Sequence, residues 1–307
     1  MFKSVDQYLA QLVRELAGVD PAVIQDALAD SEDHLRTGLD QMVRADPELP
    51  VDRALAQVIE EYGNPAEVAA GYRQFQARTR VAMAPAAPPV DKRPTFDRFF
   101  EILVDPRAYA SFFYMCFSLI TGIVYFTWAI IGISMSVGFA VLIVGLPFAA
   151  AFLVSVRALA LVEGRIIEAL LGVRMPSSPL FSYPHLGMWE RVKTLFQDSR
   201  TWTTILYMIC QMPLGTIYFS VCITLFSLGI SLIATPVAQL VIDSPIMRLG
   251  GHQVWVPIWS APFFMFVGVL VIMLTLHLAK AVGQMHGRYA KALLVRDPAL
   301  HQAKESA

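Results

Sequence analysis

The side chains best suited to polar chemistry form two Asp-x-Arg motifs beside long apolar runs of this 307-residue chain. Asp105 and Arg107 precede the first run, and Asp198 and Arg200 precede a later one. An Asp at the start of a helix accepts backbone N–H groups and interacts favourably with the helix dipole. An Arg at the end of an apolar run suits phospholipid headgroups. We interpret both motifs as helix caps with lipid anchors; signal transmission between the halves of the chain is the alternative.

Residue patterns of known catalytic sites are absent from the sequence. It has no Gly-rich phosphate loop, no GxSxG elbow and no HExxH motif. Its six histidines are scattered, and its three cysteines lie in apolar runs at spacings that fit no zinc site. We therefore expect a protein that is not an enzyme and that has no metal site and no cofactor.

The second half of the chain contains one pattern twice, in the same direction. Tyr114 and Gly122 return as Tyr207 and Gly215 at one constant offset, together with both Asp-x-Arg motifs. A second block, in which Gly-Arg precedes Ala-Leu-Leu, repeats at a larger offset, so the second copy carries an insertion. The second block occupies residues 164–171 and 287–294. Such self-similarity predicts two similar structural units.

Composition separates a polar N-terminal part from an apolar remainder. The chain is 56% hydrophobic and 16% charged, against about 25% charged in soluble domains. Asp and Glu are concentrated near the N-terminus, which indicates a soluble domain joined to a membrane domain. The predicted parts are a helical domain over 1–78, a Pro/Ala-rich linker over 79–95, a membrane domain over 96–296 (repeat one 96–174, repeat two 189–296) and a polar tail over 297–307.

The N-terminal domain is predicted to contain four short helices. Ser4 is the first cap, Asp20-Pro21 opens a second helix through Arg44, and a third begins at Asp52. The turn Gly63-Asn64-Pro65 ends the third helix and starts the last, which is expected to end near Arg78. Short helices joined by short turns pack as an antiparallel bundle.

Four apolar runs are long enough to cross a membrane, which takes about 20 residues. The expected spans are Tyr109–Ile133, Val137–Val156, residues 203–228 and Ala261–Leu278, with SMSVG as a tight turn between the first two. Residues 230–242 are expected to form an interfacial or partly re-entrant helix. The expected fold is all-α: a polytopic membrane protein with four transmembrane helices in two parallel tandem repeats, amphipathic interfacial helices and a small N-terminal helical bundle.

Lys and Arg define the orientation. They precede the first span, fill the connection between the second and third spans, and follow the fourth, whereas the two remaining connections hold only Arg248. The positive-inside rule therefore places both termini in the cytoplasm. On the outer side, Trp255 and Trp259 are expected to anchor at headgroup level.

Two segments resemble known families. Residues 2–78, with EDHL and EYGNPAEVAAGY, resemble the cytoplasmic four-helix signalling domain associated with PadR-type helix-turn-helix regulators in bacteria. Residues 98–295 resemble the bacterial "putative sensor" membrane domain in DPRAYASFFY, GLP, RVKTLFQDSRTW, LYMICQMPLG and GRYAKALL. No kinase follows the membrane domain in this sequence, so we expect any output to pass through the N-terminal domain.

The resemblance implies a multi-pass sensor in the bacterial inner membrane, with the lipid bilayer and a cytoplasmic transcriptional regulator as partners. No direct binding of nucleic acid is expected, and a homo-oligomer is left open. Residues proposed for the output are Glu32, Asp33, His34, Gly63, Asn64 and Pro65, and residues proposed for the input are Arg248, Trp255 and Trp259. A transport or export component and a structural membrane scaffold are the alternatives.

Overall fold

A computed structural model describes residues 2–83, 99–139, 145–177, 193, 195–242, 247–249, 252–255 and 257–295. Over these residues the chain is almost entirely helical. The α-helices are α1 Val5–Glu15, α2 Pro21–Ala45, α3 Val51–Tyr62, α4 Pro65–Met83, α5 Pro106–Gly138, α6 Gly145–Leu171, α7 Ser199–Ile242 and α8 Ala261–Leu294. Short 3-10 helices precede α5 and α8 at Glu101–Leu103 and Ile258–Ser260. Two strands, β1 Met247–Leu249 and β2 His252–Val254, lie between α7 and α8 in the chain.

The chain divides into two compact units that do not follow its linear order. The first contains residues 1–91, 132–205 and 289–307, and the second contains residues 92–131 and 206–288. Helices α1 to α4 and α6 therefore belong to the first unit, and most of α7 and α8 belongs to the second.

The N-terminal helices begin at capping residues that the sequence predicts. The Ser4 hydroxyl accepts a hydrogen bond from the backbone N–H of Gln7 at 3.2 Å, and Asp20 accepts one from Ala22 at 2.9 Å. Such caps satisfy N–H groups that have no partner inside the helix. Helices α1 and α2 therefore begin directly after the predicted caps.

Apolar side chains of α1 to α4 share one buried core. Tyr8 and Leu12 of α1, Leu35 of α2 and Leu55 of α3 are fully buried members of it. Because full burial of one leucine contributes roughly 1.5–3 kcal/mol, this core is the main source of stability for the four helices.

Helix α4 is longer than predicted. The sequence predicts its end near Arg78, but the helix continues to Met83. Residues 79–83 contain no proline, so their backbone can continue the helical hydrogen-bond pattern. The rest of the predicted linker, 84–95, lies outside the described residues, and so does the predicted tail, 297–307.

Three segments of the described chain are long and apolar enough to cross a membrane, by length and composition. They are Pro106–Gly138, Ser199–Val241 and Ile258–Leu294, with mean hydropathies of 2.0, 2.1 and 2.2. A helix rises about 1.5 Å per residue, so about 20 residues cover a hydrocarbon core of roughly 30 Å. The 44 residues of α7 therefore extend well beyond that core.

Two predicted breaks between helices are wrong. The SMSVG segment, residues 134–138, is predicted as a tight turn but forms the C-terminal end of α5. Residues 230–242 are predicted as a separate interfacial or re-entrant helix but continue α7 to Ile242. Pro236 is tolerated there because a proline removes a single helical hydrogen bond, which in a membrane helix often kinks the helix without ending it.

The predicted second span has only a partial counterpart in the described residues. Residues 137–138 belong to α5, residues 140–144 lie outside the described part of the chain, and α6 begins at Gly145. Helix α6 is not among the three candidate spans, and it carries the buried Glu163 and the nearly buried Arg157. A four-span arrangement therefore stays a prediction.

The insertion of the second copy contains a short β-hairpin that the all-helical expectation missed. Strands β1 and β2 pair antiparallel, with Arg248 opposite Gln253. Gly250 and Gly251 separate the two strands in sequence. A Gly-Gly pair is typical of two-residue hairpin loops, so this dipeptide is the sequence feature that could have predicted the two paired strands.

Helices α5 and α7 approach each other at Gly122 and Gly215, which are corresponding positions of the two copies. A Cβ atom on Gly122 would lie 2.8 Å from the backbone oxygen of Gln211, and one on Gly215 would meet the backbone oxygen of Ser118. Gln211 stands one helical turn before Gly215, and Ser118 stands one helical turn before Gly122. The two contacts are reciprocal, and only glycine permits the backbones to come this close.

Candidate functional site

Three of the six residues predicted for the output lie on α2, on two different sides of the helix. Glu32 is half-buried and accepts a hydrogen bond from Nε of Arg36 at 2.9 Å. Burial raises the pKa of Glu32, although the Arg36 guanidinium opposes the rise. Asp33 and His34 are exposed, and the His34 ring stacks on Tyr62 with centroids 4.6 Å apart.

Asp33 and His34 line a groove between α2 and α3, which we call the α2–α3 groove. Its volume is about 620 Å³. Its lining includes Asp30, Asp33, His34, Met42, Val58 and Glu61. Glu32 is not part of the lining. Of the three residues predicted on α2, Asp33 and His34 therefore lie on one concave surface, and Glu32 does not.

The predicted turn from Gly63 to Pro65 connects α3 to α4. Gly63 has a φ of 111°, a conformation that L side chains rarely adopt. The Asn64 side chain accepts the backbone N–H groups of Ala66 and Glu67, both at 3.0 Å. Glu67 in return accepts the N–H of Asn64 at 3.2 Å, which completes a capping box. Helix capping accounts for these residue types, and their role in signalling stays a prediction.

The beginning of α2 contacts the end of α8. Nζ of Lys291, in the last turn of α8, donates to both carboxylate oxygens of Asp20, at 2.7 and 2.6 Å. The same carboxylate also caps α2. Both side chains of the ion pair are about three-quarters buried. Sequence reasoning identified Asp20 only as a cap, because spacing carries no information about a partner so distant in the chain.

A second connection joins α2 to the residues that follow α6. Asp26, which is 6% exposed, accepts the backbone N–H of Ser177 at 2.6 Å and faces the Arg174 guanidinium at 3.7 Å. Arg174 also faces Glu168 of α6 at 3.6 Å and lies over the Phe75 ring of α4, 5.7 Å from its centroid. Arg174 thus links the N-terminal helices to the end of the first copy.

We call these two connections the α2 clasp: Asp20 with Lys291, and Asp26 with Arg174 and Ser177. The first holds α2 to the end of the second copy, and the other holds it to the end of the first copy. Both pairs are mostly buried, and removing one partner of a buried pair leaves the other charge unpaired at a cost of about 3–5 kcal/mol. The clasp therefore ties the position of α2 to the end of α8 and to the residues that follow α6.

Both Asp-x-Arg motifs cap their helices as predicted. Asp105 accepts the backbone N–H of Arg107, and Asp198 accepts that of Arg200, each at 3.0 Å. The Arg200 side chain donates from Nε to the backbone oxygen of Leu294 at 2.9 Å. That bond satisfies a carbonyl at the end of α8, so the structure places Arg200 against protein.

The same two carboxylates each bind a cation on another helix. Asp105 lies 2.6 Å from Nζ of Lys280, and Asp198 lies 2.5 Å from the Arg157 guanidinium. Lys280 and Arg157 each stand seven residues before the Gly-Arg pair of their own copy, so their positions correspond. Each Asp therefore pairs with a cation of the other copy. Burial opposes ionisation of Asp105, but Lys280 and the Arg107 N–H outweigh it and hold the pKa of Asp105 below its ordinary value.

Two corresponding tyrosines meet around a histidine that sequence reasoning missed. The Tyr207 hydroxyl lies 3.2 Å from Nε2 of His286, and the Tyr114 ring centroid lies 5.3 Å from that of His286. The Gln211 amide donates to the Tyr114 hydroxyl at 3.5 Å. All four side chains are buried, so their mutual bonds fix the packing of α5, α7 and α8. The recurrence of the tyrosine at corresponding positions, Tyr114 and Tyr207, is the sequence feature that could have indicated this cluster.

The residues predicted for the input follow one another along the insertion. Arg248 lies on β1, Trp255 follows β2, and Trp259 lies in the 3-10 helix before α8. Trp259 is 83% exposed and Trp255 is 42% exposed. Exposed tryptophans next to an apolar helix suit a membrane–water interface. Their role as an input stays a prediction.

Within the described part of the chain, no group of three or more His, Cys, Asp or Glu side chains could hold a metal ion. The cysteines are free thiols, at positions Cys116, Cys210 and Cys222.

Long apolar helices joined to a polar helical domain with its own core define a helical membrane protein. A family model described as "Putative sensor" matches residues 114–294, more than half of the chain, and the chain belongs to that family. A second family model, described as HAAS, matches residues 7–71 and thus most of the N-terminal helices. Both matches confirm the resemblance found in the sequence. None of the curated proteins and none of the solved structures matches the chain.

Proposed function

We propose that the chain is a bacterial inner-membrane sensor that couples a signal in the membrane or envelope to a cytoplasmic PadR-like transcriptional regulator. The membrane domain receives the signal, and the HAAS domain holds or releases the regulator. The protein acts through binding and conformational change and catalyses no reaction. The membership of the chain in the "Putative sensor" family and its HAAS match support this assignment.

The α2 clasp is the observation that carries the proposal. Lys291 lies on α8, which is also a candidate membrane span, and it binds Asp20 of the HAAS domain directly. A helix transmits displacement along its length, so a shift or rotation of α8 in the bilayer moves Lys291 relative to Asp20. Because the partners are mostly buried, moving one away from the other leaves a buried charge unpaired, so a displacement of α8 changes how the HAAS domain is held.

The distribution of Lys and Arg supports an arrangement with both termini in the cytoplasm. Four spans in two parallel copies, related by a pseudo-two-fold axis along the membrane normal, are part of the proposal. The reciprocal contacts of Gly122 and Gly215 support it, and so do the pairs that Asp105 and Asp198 make with cations of the opposite copy.

A transport or export component, the main alternative, needs a polar path between the two copies. At Gly122 and Gly215 the backbones of α5 and α7 are too close to admit even a Cβ atom. This close packing favours a sensor. A purely structural scaffold is the remaining alternative, and it predicts no regulated partner.

Binding of the regulator by the full-length chain tests the proposal. We would reconstitute the protein in lipid nanodiscs and measure binding of each purified PadR-type regulator encoded in the same genome by biolayer interferometry. The variant Lys291→Glu opens the clasp by placing like charges together, and Arg288→Glu is its control, since Arg288 is exposed on the same helix.

We expect one regulator to bind, with an affinity that changes in Lys291→Glu and not in Arg288→Glu. If no regulator binds either the wild-type protein or the opened variant, the proposal is wrong. If a regulator binds with the same affinity to all three proteins, the clasp does not control the output.

A further inference from the structure

Helix α2 is much longer than the helix that covers its C-terminal half. It has 25 residues, whereas α3 has 12 and α1 has 11. The residues of α2 that line the α2–α3 groove begin at Asp30 and end at Ala45, and they recur at helical spacing along one stripe. At about 1.5 Å per residue this stripe is roughly 22 Å long, the length of a helix of about four turns. The groove is therefore long enough to accommodate a helix of about four turns.

Part of the floor of the groove, around Gly38, is apolar and closely packed. Val58 of α3 is buried beneath it, and Met42 of α2 is half-buried beside Val58. A Cβ atom on Gly38 would lie 2.9 Å from Cγ1 of Val58, so the glycine lets α3 come close to α2 there. This apolar part of the floor is complementary to apolar side chains on one face of an amphipathic helix.

The rim of the groove is acidic. Asp30, Asp33 and Glu61 contribute three carboxylates, and none of the lining residues is Lys or Arg. The Tyr72 hydroxyl donates to Asp30 at 2.9 Å and fixes its position. Asp33 and Glu61 are exposed and have no ion-pair partner among the described residues. Their charge therefore remains available to a positively charged partner, which it also attracts during the approach.

We propose that the α2–α3 groove binds an amphipathic helix of the regulator, with the apolar face of that helix on Met42 and Val58 and its Lys or Arg side chains against Asp33 and Glu61. This inference rests on the proposed function and deepens it by naming the surface that the regulator occupies. A DNA-binding regulator carries basic surfaces that neutralise phosphates, so its charge is complementary to this rim.

Charge reversal on the rim tests the electrostatic part. The full-length chain in nanodiscs is compared with Asp33→Lys/Glu61→Lys and with the control Glu48→Lys, an exposed acidic residue outside the groove. The binding partner is the purified PadR-type regulator. We expect the double variant to raise the Kd by at least about tenfold and to reduce its salt dependence, because two attractive pairs become repulsive. Glu48→Lys leaves the Kd unchanged.

A steric variant tests the apolar floor without changing charge. Thr37→Trp fills the groove from an exposed position of α2, and Gln57→Trp adds the same bulk on α3 outside the groove. Binding should be lost only in Thr37→Trp. Amide hydrogen exchange of α1 to α4 in each variant shows that the domain remains folded.

The outcomes separate this inference from the proposed function. If the regulator binds all variants with equal affinity, the groove is not its site, although the proposed function stands. If neither the wild-type protein nor the opened variant Lys291→Glu binds a regulator, both are wrong. If the groove variants change only self-association, measured by mass photometry, the occupant is a second copy of the chain and the inference is overturned.

Discussion

Asp20 and Lys291 are 271 residues apart in the chain, yet both oxygens of the carboxylate accept hydrogen bonds from the ammonium group, at 2.7 and 2.6 Å. Asp20 stands at the cap of α2 and Lys291 in the last turn of α8, where a cation interacts favourably with the helix dipole. The pair thus joins the ends of two helices, one from the HAAS domain and one that is a candidate span.

Lys291→Glu and Asp20→Asn are both expected to weaken the attachment of α2 to the end of α8. Lys291→Arg is expected to preserve this attachment, because it keeps the positive charge. Asn keeps the capping oxygen of α2 and removes only the charge. The native cysteines are replaced by alanine, and spin labels are attached at the exposed positions Gln57 of α3 and Ala169 of α6. Double electron–electron resonance then measures the distance between the two labels. A narrow distribution should broaden in both opening variants. An unchanged distribution in both would show that the ion pair does not hold the domain.

Gly122→Ala should destabilise the membrane domain by about 1–3 kcal/mol, because the new methyl group overlaps the backbone of α7. Gly138→Ala is the control in the same helix, where a Cβ atom meets nothing within 4 Å. Thermal unfolding of both proteins in one detergent measures the difference. Equal Tm values would mean that α5 and α7 do not approach as described.

Asp105→Asn should lower the free energy of unfolding at neutral pH by about 1–2 kcal/mol, since Asn preserves the cap and loses the charge-assisted bond from Lys280. The folded-state pKa of Asp105 lies below its ordinary value, so this contribution is present above the unfolded pKa, about 3.9. It is lost as the pH falls through the folded-state pKa. Chemical denaturation from pH 7 to pH 3 should show the two proteins converge only at the acidic end.

Glu32→Gln should leave the stability of the HAAS domain unchanged or raise it by up to about 0.5 kcal/mol. Burial raises the pKa of Glu32, so the stability contributed by its protonated form is present below the unfolded pKa and is lost as the pH rises through the folded-state pKa. Gln can still accept the bond from Arg36. Hydrogen exchange of α2 peptides in the full-length chain measures the effect, with Asp40→Asn, which disrupts the more exposed Arg44 pair, as the control. A clear loss of protection in Glu32→Gln alone would contradict this expectation.

Local features of the chain were predicted well because they depend on near neighbours. Ser4, Asp20 and the turn at Gly63 define helix ends through bonds to residues only a few positions away. The two wrong breaks, at residues 134–138 and 230–242, lie where polar or helix-breaking residues interrupt an apolar run. There the sequence offers no local signal that decides between a turn and a continued helix.

The candidate site was predicted only in part. Asp33 and His34 were identified from their segment and do line a groove, but the groove itself depends on how far α3 covers α2. His286 and Arg174 were not singled out, because a lone histidine or arginine has no distinctive spacing. Their partners come from other helices and become visible only when those helices pack.

The sequence by itself determined the lengths of the apolar runs, the helix caps, the repeated residue pattern and the segregation of charge, since each depends only on residue type and spacing along the chain. Only the tertiary structure decided that Asp105 pairs with Lys280, that Asp198 pairs with Arg157, and that α2 is held at Lys291. Which carboxylate meets which cation depends on the packing of distant helices, and no periodicity within one helix encodes that choice.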